Sequence, residues 1–468
     1  MEKIFLEEWL HDIIERRVRE VPEYRQFIGK EILEGITRSD VEDYQLFKLR
    51  KILSYAYQKS SFYKDLFNKN RVKPDDVRSL DDLAKIPFTE QKDLSETPYR
   101  FLCVSLGKIA RVTSFITCGT TGPKKKVFWT EGDIELITDF MGAAVRTVAT
   151  SEDVVQILLP GGRPNDQADL LAKGVKKMGA FAVVLGIGLS AEEQIRTIEK
   201  SCSNVLFGSV SRIYRITKEM QEDHNLGKMG VKALFLTSEY LSEPMREGLQ
   251  DIWKCDVYTH YGLTEMGLGV GVECHNHNGF HFNEADLLIE VVNPETGKAL
   301  NYDEEGELVF TTLSMEAMPL IRYRTHDISR LIARPCECGA FTLRKIGEVT
   351  KRVESITRIG EGDELYPALF DDVIYSIPSV IDYQVILTKE GGRDVITCKV
   401  EVTRKDPKVQ EKIVEAMLNI HSVWKSVKVD MMAEIRIELV SFGELKRKGR
   451  AKRLIVDRRK SYSGGDPM

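Results

Sequence analysis

The residues between Ser114 and Thr130 have the chemistry of a phosphate-binding loop. Gly119 and Gly122 can adopt backbone angles that let peptide N–H groups face an anion. Hydroxyls and lysines add hydrogen-bond donors and positive charge: Thr117, Thr120, Thr121, Lys124, Lys125 and Lys126. The spacing differs from that of a Walker loop, because no glycine–lysine pair follows Gly119 at the required distance. The alternative is a polar surface hairpin with solvated lysines.

Cysteine and histidine are concentrated in two short stretches that have the composition of a zinc site. The available ligands are Cys274, His275, His277, His281, Cys336 and Cys338. Three thiolates and one imidazole would complete a tetrahedral site with no position left for water, which is typical of structural zinc. Cys-x-Cys is a less usual spacing than Cys-x-x-Cys, so two polar loops with unrelated cysteines are the alternative.

Composition restricts the classes of protein to which the chain can belong. A chain of 468 residues with 42% hydrophobic and 30% charged residues is typical of a globular protein with two or three domains. Its net charge of −5 argues against nucleic-acid binding, although basic clusters occur near 446–452 and 458–460. The sequence contains no apolar run of the ~18–20 residues that a membrane helix needs, and the acidic N-terminus argues against a secretory signal. Eight scattered cysteines fit a reducing cytoplasm better than a disulfide framework.

The elements that must position the loop alternate between strands and helices. The loop itself predicts strand–loop–strand. Further buried strands are predicted at 154–159, 181–185, 205–208 and 233–236. A helix is predicted near 167–178. This β-α-β rhythm indicates an α/β fold with mostly parallel sheets, in which ligands lie beyond the carboxyl ends of the strands.

Helices precede this region, and β-rich and α+β segments follow it. The pattern of residues 1–70 predicts helices. Within this region, the stretch 44–63 has the clearest helical spacing of apolar residues. Two strands, 287–292 and 306–312, joined by a polar turn, predict a β-rich subdomain. Later helices and strands are predicted at 368–375, 383–387, 394–402, 408–421 and 434–438. These form a small α+β unit of ordinary domain size.

Three motifs in this order resemble those of the adenylate-forming enzymes, which include acyl-CoA synthetases, peptide-synthetase adenylation domains and luciferases. Thr-Cys-Gly-Thr-Thr-Gly-Pro-Lys at 117–124 is similar to their phosphate loop. Tyr-Gly-Leu-Thr-Glu at 261–265 and Tyr-Arg-Thr-His-Asp at 323–327 resemble their Tyr-Gly-x-Thr-Glu and Tyr-Arg-Thr-Gly-Asp motifs. The stretch 319–328 is especially similar to the phenylacetate–CoA ligase branch. The resemblance extends from about Tyr44 to about Arg459.

The resemblance implies a division into domains and an ATP site. The large domain would be residues 1–351, the hinge 352–356 and the small mobile C-terminal domain 357–468. The implied ATP-binding residues are Thr117, Cys118, Gly119, Thr120, Thr121, Gly122, Lys124, Ser238, Glu239, Tyr240, His260, Tyr261, Gly262, Thr264, Asp327 and Arg352. In this scheme Tyr261 faces adenine, Thr264 contacts the α-phosphate and Asp327 accepts hydrogen bonds from the ribose. Glu265 would bind Mg²⁺, which prefers oxygen ligands.

The resemblance also implies an acid pocket, a hinge and a catalytic basic residue. The pocket residues are Pro160, Gly161, Gly162, Ser238, His260, Gly262 and Met266. Glu354 and Ser355 are the hinge candidates. The family's Gly-Lys-x-x-Arg motif has Arg450 in its lysine position here, with Lys452, Lys448 or Lys446 as nearby substitutes. We therefore expect Thr264 and Glu265 to be catalytic together with a basic residue, for which Arg450 and Lys452 are the main candidates.

Among the zinc candidates, the resemblance favours one histidine. His281 matches the histidine of the family's Gly-x-His stretch, so the expected ligands are Cys274, His281, Cys336 and Cys338. His275 and His277 are competing choices.

The implied activity is that of an AMP-forming acyl- or aryl-CoA ligase. A carboxylate is a poor acyl donor, so it attacks the α-phosphate of ATP to give an acyl-adenylate and pyrophosphate, and coenzyme A then displaces AMP. Positioning and electrostatics would supply most of the catalysis. The expected cofactors are ATP, Mg²⁺ and coenzyme A, with structural Zn²⁺ as a further candidate.

The acid would be phenylacetate-like or a short branched or hydroxylated acid. One alternative function is acyl transfer to a carrier-protein thiol. Another is a nucleotide-binding homologue whose catalysis is weakened by Arg450. We expect a cytoplasmic monomer or homodimer that acts on small molecules, without nucleic-acid or membrane partners.

Overall fold

The computed structural model describes residues 5–30, 35–115, 124–445 and 453–459. Within these ranges no helix combines the length and the apolar character needed to cross a bilayer. The cysteines in these ranges form no disulfide.

The chain divides into two compact units, each built from several chain segments. The first consists of Met1–Gly188, Ser203–Phe207 and Tyr258–Val349. The second consists of Leu189–Cys202, Gly208–Val257 and Thr350–Met468.

The helices lie mainly where apolar spacing predicts them. They are α1 Phe5–Glu20, α2 Pro22–Ile28, α3 Arg38–Lys59, α4 Ser61–Asn70, α5 Gln91–Glu96, α6 Glu131–Val145, α7 Gln167–Lys177, α8 Ala191–Ser201, α9 Val210–Met220, α10 Glu243–Trp253, α11 Pro367–Ile374, α12 Pro407–Leu418 and α13 His421–Trp424. The stretch 44–63, with its helical spacing of apolar residues, is divided between two helices, because α3 ends before Ser60. The Ser60 hydroxyl accepts the N–H of Tyr63 and caps α4, which starts a new helix there.

The strands include all those predicted from short apolar runs. They are β1 Arg111–Phe115, β2 Lys125–Trp129, β3 Val154–Leu158, β4 Phe181–Val184, β5 Val205–Ser209, β6 Ala233–Thr237, β7 Asp256–Tyr261, β8 Gly271–Glu273, β9 Phe280–Phe282, β10 Leu287–Val292, β11 Gly306–Thr312, β12 Tyr323–Ser329, β13 Leu331–Ile332, β14 Lys345–Ile346, β15 Lys351–Arg352, β16 Thr357–Ile359, β17 Asp363–Leu365, β18 Val380–Glu390, β19 Arg393–Val402, β20 Ala433–Val440 and β21 Ile455–Asp457.

Strand pairing in the first unit supports the predicted α/β fold with a β-rich part. β3 and β4 pair in parallel, and helix α7 connects them. β1 and β2 are antiparallel, and their last pair is Phe115 with Lys125. β10, β11 and β12 form an antiparallel run, as the polar turn between the first two predicts. β7, β8, β9, β14 and β13 form a second antiparallel run.

The sheet of the second unit has the order β20-β19-β18-β21. The central strands β18 and β19 form an antiparallel hairpin closed by Gly391 and Gly392, both of which have positive φ. β20 and β21 pair in parallel with β19 and β18, respectively. β21 was not expected from the sequence, because it is a three-residue strand in a strongly basic stretch.

Helices α6 and α7 approach each other closely at two glycines. A Cβ atom added to Gly174 would lie 2.8 Å from Met141 Cβ and 2.9 Å from the Gly142 nitrogen. The same atom added to Gly142 would lie 2.9 Å from the Gly174 carbonyl oxygen. Glycine is therefore required at this crossing by packing, since both residues have ordinary helical backbone angles.

We predict that Gly174→Ala lowers the free energy of unfolding by about 1–3 kcal/mol, because the added methyl group has to displace backbone atoms. Gly248→Ala is the matched control. Gly248 also lies inside a helix, α10, but an added Cβ there meets no atom within 4 Å. Alanine should be neutral or stabilising by up to about 1 kcal/mol at Gly248, through helix propensity. Equal effects of the two substitutions on the denaturation midpoint would contradict this account of the crossing.

Candidate active site and metal centre

A buried polar cluster lies at the end of β7, around Glu265. This residue is in a single 3-10 turn, Thr264–Met266, that follows the strand. Its Oε1 atom accepts a hydrogen bond of 2.7 Å from the Tyr323 hydroxyl and one of 3.0 Å from Lys125 Nζ. Burial by itself would raise the pKa of Glu265, but the charge of Lys125 and these hydrogen bonds lower it. Glu265 is therefore a carboxylate at neutral pH.

Lys125 connects three elements of the first unit. Its Nζ donates to Gln91 Oε1 at 2.6 Å and to the Tyr323 hydroxyl at 2.9 Å, in addition to Glu265. Gln91 in turn donates through Nε2 to the Thr325 carbonyl at 2.8 Å. The sequence indicates Lys125 only as added charge and does not indicate Gln91. Strand alternation was the available signal, because Lys125 shares its face of β2 with the apolar residues Val127 and Trp129.

A second polar pair links the same two motifs. The Tyr261 hydroxyl donates to Asp327 Oδ2 at 2.6 Å, and Asp327 is buried. The Tyr261 ring has the Phe280 and Phe310 rings as neighbours, with centroid distances of 5.9 and 6.5 Å. The pairs Tyr261–Asp327 and Glu265–Tyr323 therefore join the turn after β7 to β12. Two motifs that are about sixty residues apart in sequence are brought into direct contact twice.

Residues next to these pairs in the sequence are buried or tightly packed. A Cβ atom at Gly262 would lie 2.0 Å from the Leu268 carbonyl oxygen, so no larger residue fits. His260 and Met266 are buried. Burial lowers the pKa of His260 to about 4, so its ring is neutral at pH 7. In contrast, the expected pocket residues Pro160, Gly161 and Gly162 are exposed after β3, and Lys124 is exposed before β2.

Several expected site residues lie in the second unit. Ser238 follows β6 with a φ of 75°, a conformation that is uncommon for a residue with a side chain. The Glu239 carboxylate accepts hydrogen bonds from the Ser211 N–H and hydroxyl at 2.9 and 3.0 Å. The Tyr240 hydroxyl donates to Asp372 at 2.9 Å. These contacts hold the segment after β6 against α9 and α11.

Arg453 is buried beside that segment. Its Nε lies 2.7 Å from Asp371 Oδ1, and its guanidinium also donates to the Tyr375 hydroxyl and the Tyr240 carbonyl. Burial raises the pKa of Asp371 to about 6, although Arg453 and a hydrogen bond from Tyr383 oppose the shift. The sequence does not indicate Asp371, since an acidic residue on a helix is usually solvated.

The expected hinge residues form a short local turn in the second unit. The Ser355 hydroxyl accepts the Arg352 N–H at 3.1 Å and donates to the Arg352 carbonyl at 2.9 Å. The Glu354 carboxylate lies 3.9 Å from Arg352 Nε. The expected site residues that lie outside the described residues are Thr117, Cys118, Gly119, Thr120, Thr121, Gly122, Arg450 and Lys452.

Four of the zinc candidates converge in the first unit. The ligand atoms of Cys274, His281, Cys336 and Cys338 all lie within 4.8 Å of one another. Sγ of Cys274 is 3.6 Å from Sγ of Cys336, and Sγ of Cys338 is 3.3 Å from His281 Nε2. A hydrogen bond with Cys338 lowers the pKa of Cys274 to about 3, with a further contribution from His281 and despite burial.

The other two histidines are placed differently. His277 lies beside Glu273, with Nδ1 at 3.4 Å from the carboxylate, and packs on the Tyr258 ring. Neither His275 nor His277 belongs to the group of converging ligands among the described residues. Lys345, a buried residue of β14, places its Nζ 3.4 Å from Cys336 Sγ. Its positive charge offsets part of the negative charge that three thiolates would carry.

Comparison with known proteins assigns the chain to a family. A phenylacetate–coenzyme A ligase of Aromatoleum evansii is 30% identical over 453 residues, which cover 92% of this chain and 97% of that protein. The chain belongs to the phenylacetate–coenzyme A ligase family. A Thermus thermophilus protein of the same name is 28% identical and is covered over 99% of its length. A model of the AMP-binding enzyme C-terminal domain matches residues 362–459 of the ligase.

A solved structure shows the same fold. The ligase superposes on 2-hydroxyisobutyryl-CoA ligase in its postadenylation state, with a TM-score of 0.78 and 17% sequence identity. The match covers 96% of this chain and 92% of the other. The expected adenylate-forming fold is confirmed, and family membership confirms an AMP-forming acid–thiol ligase.

We predict that the titration of His260 contributes to the acid sensitivity of the ligase. The pKa of His260 is lower in the folded state than the ordinary value of 6.5, so its stabilising contribution is present above about pH 6.5 and is lost as the pH falls towards 4. Between pH 7 and pH 5 this loss is on the order of 2 kcal/mol. His260→Gln should reduce the shift in denaturation midpoint between these pH values.

The exposed residue His421 provides the control for this prediction. His421→Gln should keep the pH dependence of the unmodified ligase. If both variants lose stability with acid as steeply as the unmodified ligase, His260 is not the titrating group.

Proposed function

We propose that the ligase joins a small carboxylic acid to coenzyme A, using ATP, with the site built around Glu265 and Asp327. The observation that carries this proposal is the double contact between two distant motifs, Glu265 with Tyr323 and Tyr261 with Asp327. These contacts bring together a carboxylate suited to a metal ion and a tyrosine–carboxylate pair suited to a nucleoside. The names of the curated relatives favour coenzyme A over a carrier protein as the thiol.

Each described residue at the site has a proposed role in binding ATP. Tyr261 offers its ring to adenine, and Asp327 accepts hydrogen bonds from the ribose hydroxyls. Thr264 donates its hydroxyl to the α-phosphate. Glu265 fits Mg²⁺, because its buried carboxylate is deprotonated and supplies oxygen ligands. When bound, Mg²⁺ neutralises phosphate charge during the displacement.

The proposed reaction has two half-reactions. First, a carboxylate oxygen of the acid forms a bond to the α-phosphorus, and the bond from that phosphorus to pyrophosphate breaks. Next, the coenzyme A thiolate attacks the acyl carbon, and AMP leaves with the bonding electrons. Arg450 or Lys452 would neutralise the acid and the α-phosphate in the first step. A rotation about the hinge at 352–356, between the domains 1–351 and 357–468, would switch the enzyme from adenylation to thioester formation.

We place the acid near the end of β7, beside His260, Gly262 and Met266, with 160–162 as further contacts. A neutral, buried His260 suits an uncharged, apolar acyl group better than a charged one. The relatives are named for phenylacetate, and the solved neighbour for 2-hydroxyisobutyrate. The acid is therefore proposed to be a phenylacetate-like aryl acid or a short branched or hydroxylated acid.

The test is acid-dependent release of pyrophosphate with Mg²⁺-ATP over a panel of aryl and short aliphatic acids. We expect strong release with one acid, and formation of its thioester when coenzyme A is added. Arg450→Ala and Lys452→Ala should be compared under the same conditions. Replacing the residue that acts in adenylation should lower the rate of pyrophosphate release about 10²–10³-fold, whereas replacing its neighbour should lower it only slightly.

The outcomes of this assay separate the candidate functions. If pyrophosphate is released but the thioester forms only on a carrier protein, the acyl acceptor is the carrier-protein thiol and not coenzyme A. ATP binding without release for any acid in the panel would contradict the ligase proposal and favour a homologue that only binds nucleotide.

We also propose that Cys274, His281, Cys336 and Cys338 bind a structural zinc ion. Such an ion would fasten the loop between β13 and β14 to the β8–β9 hairpin. That loop also holds the N-terminal helices: the Glu7 carboxylate accepts the N–H groups of Phe341 and Thr342 at 2.8 and 2.6 Å. Reduced thiols at this centre support a cytoplasmic location.

We predict about one zinc ion per purified chain, with loss of the zinc and a lower melting temperature in the double variant Cys336→Ser/Cys338→Ser. Metal analysis and thermal unfolding measure these two effects. Cys202→Ser, at an exposed cysteine outside the cluster, is the control and should keep both properties. A metal-free unmodified protein, or zinc that survives the double substitution, would contradict the proposed centre.

A further inference from the structure

Only one lysine of the run 124–126 is buried. The side chain of Lys125 is 4% exposed, whereas Lys124 is exposed and Lys126 is half-exposed beside the Tyr99 ring. Burying an ammonium group is unfavourable unless it is paired and hydrogen-bonded. Lys125 is therefore not a solvated member of a charged run, and its partners have to account for its position.

The partners of Lys125 converge on the carboxylate that we assign to the metal ion. Nζ of Lys125 lies 3.0 Å from Glu265 Oε1 and 2.9 Å from the Tyr323 hydroxyl, which itself donates to the same Oε1 atom at 2.7 Å. Gln91 Oε1 accepts a further hydrogen bond of 2.6 Å from the ammonium. The Glu265 oxygen therefore accepts two hydrogen bonds and has a positive charge beside it.

We propose that Lys125 is the resident counter-ion of Glu265 and sets the divalent-cation requirement of the nucleotide site. This inference rests on the proposed role of Glu265 as a ligand of the metal ion bound with ATP. A divalent cation that approaches Glu265 has to displace the ammonium group or share the carboxylate with it. Lys125 thereby keeps the buried carboxylate compensated before ATP binds, and it raises the cation concentration needed for loading.

The expected effect follows from Coulomb repulsion between the ammonium and the cation at a shared carboxylate. Removing the charge of Lys125 leaves Glu265 as a buried carboxylate without its cationic partner. Both consequences favour a divalent ion, so the cation should bind at least about tenfold more tightly. Tyr323 supplies a hydrogen bond of similar length but no charge, so its removal should have a much smaller effect on cation binding.

The experiment is a titration of the full-length ligase with Mn²⁺ in the presence of ATP and without acid, followed by the electron paramagnetic resonance signal of free Mn²⁺. Lys125→Met and Lys125→Gln both remove the charge, and either one provides the test if the other fails to fold. We expect both to reach half-saturation at a free Mn²⁺ concentration at least about tenfold lower than the unmodified ligase does. Binding that is unchanged or weaker in a folded variant would overturn the inference.

Three control variants separate the charge from other effects. Lys125→Arg keeps a positive charge and should stay close to the unmodified ligase. Lys92→Met removes an exposed lysine beside Gln91 and should change nothing. Tyr323→Phe removes the neutral donor to Glu265. A shift with Tyr323→Phe as large as that with Lys125→Met would show that packing, and not charge, controls the cation, and would overturn the inference.

A double variant ties the effect to Glu265. In a Glu265→Gln background, Lys125→Met should no longer tighten Mn²⁺ binding, because the carboxylate that both cations share is gone. A shift that persists in that background would overturn the inference. The titration needs no acid, so it tests the inference separately from the proposed function. Absence of pyrophosphate release with every acid of the panel would contradict the proposed function, but it would not change the result of the Mn²⁺ titration.

Discussion

A carboxylate buried at the end of β7 has to be compensated, and several elements of the first unit are positioned by that requirement. Leaving Glu265 without a partner would cost several kcal/mol, which is a large share of the stability of an ordinary domain. Lys125 from β2, Tyr323 from β12 and Gln91 from α5 together supply the charge and the donors. Because these residues come from distant parts of the chain, the register of each element is constrained by one small cluster. The same cluster leaves a deprotonated carboxylate beside the tyrosine–carboxylate pair that we assign to the nucleoside.

The Cys–His centre performs a comparable organising role away from the nucleotide. Its four residues come from the turn after β8, from β9 and from the loop before β14, so an ion bound there, as we propose, would cross-link three segments of the first unit. That loop is also held to the helices, because Arg38 of α3 donates to the Thr342 carbonyl at 2.7 Å and forms an ion pair of 2.7 Å with Glu284. Polar contacts and the proposed ion thus fasten the N-terminal helices to the antiparallel strands of the first unit.

In the second unit, a buried carboxylate is compensated by an arginine. Arg453 is buried and paired with Asp371, and Tyr383 donates to the same carboxylate oxygen at 2.6 Å. Glu239, at 4.0 Å from Arg453, adds a second negative charge on the segment after β6. Arg453 directly follows the stretch that carries Arg450 and Lys452. Arg453 also donates to the Tyr240 carbonyl, so its contacts hold the start of the described segment 453–459 to the segment after β6.

The sequence by itself determined the fold class, the strand–loop–strand around the proposed phosphate loop and the antiparallel pair β10–β11, because these depend on local periodicity and turn residues. It also indicated six candidate zinc ligands, of which the structure brings four together, since cysteine and histidine are rare elsewhere in the chain. Only the tertiary structure decided which lysine of the run 124–126 meets Glu265 and that Asp371 is buried against Arg453. The physical reason is that charge compensation and burial depend on partners far away in the sequence, 140 residues for Lys125 and Glu265 and 82 for Asp371 and Arg453, which no local pattern encodes.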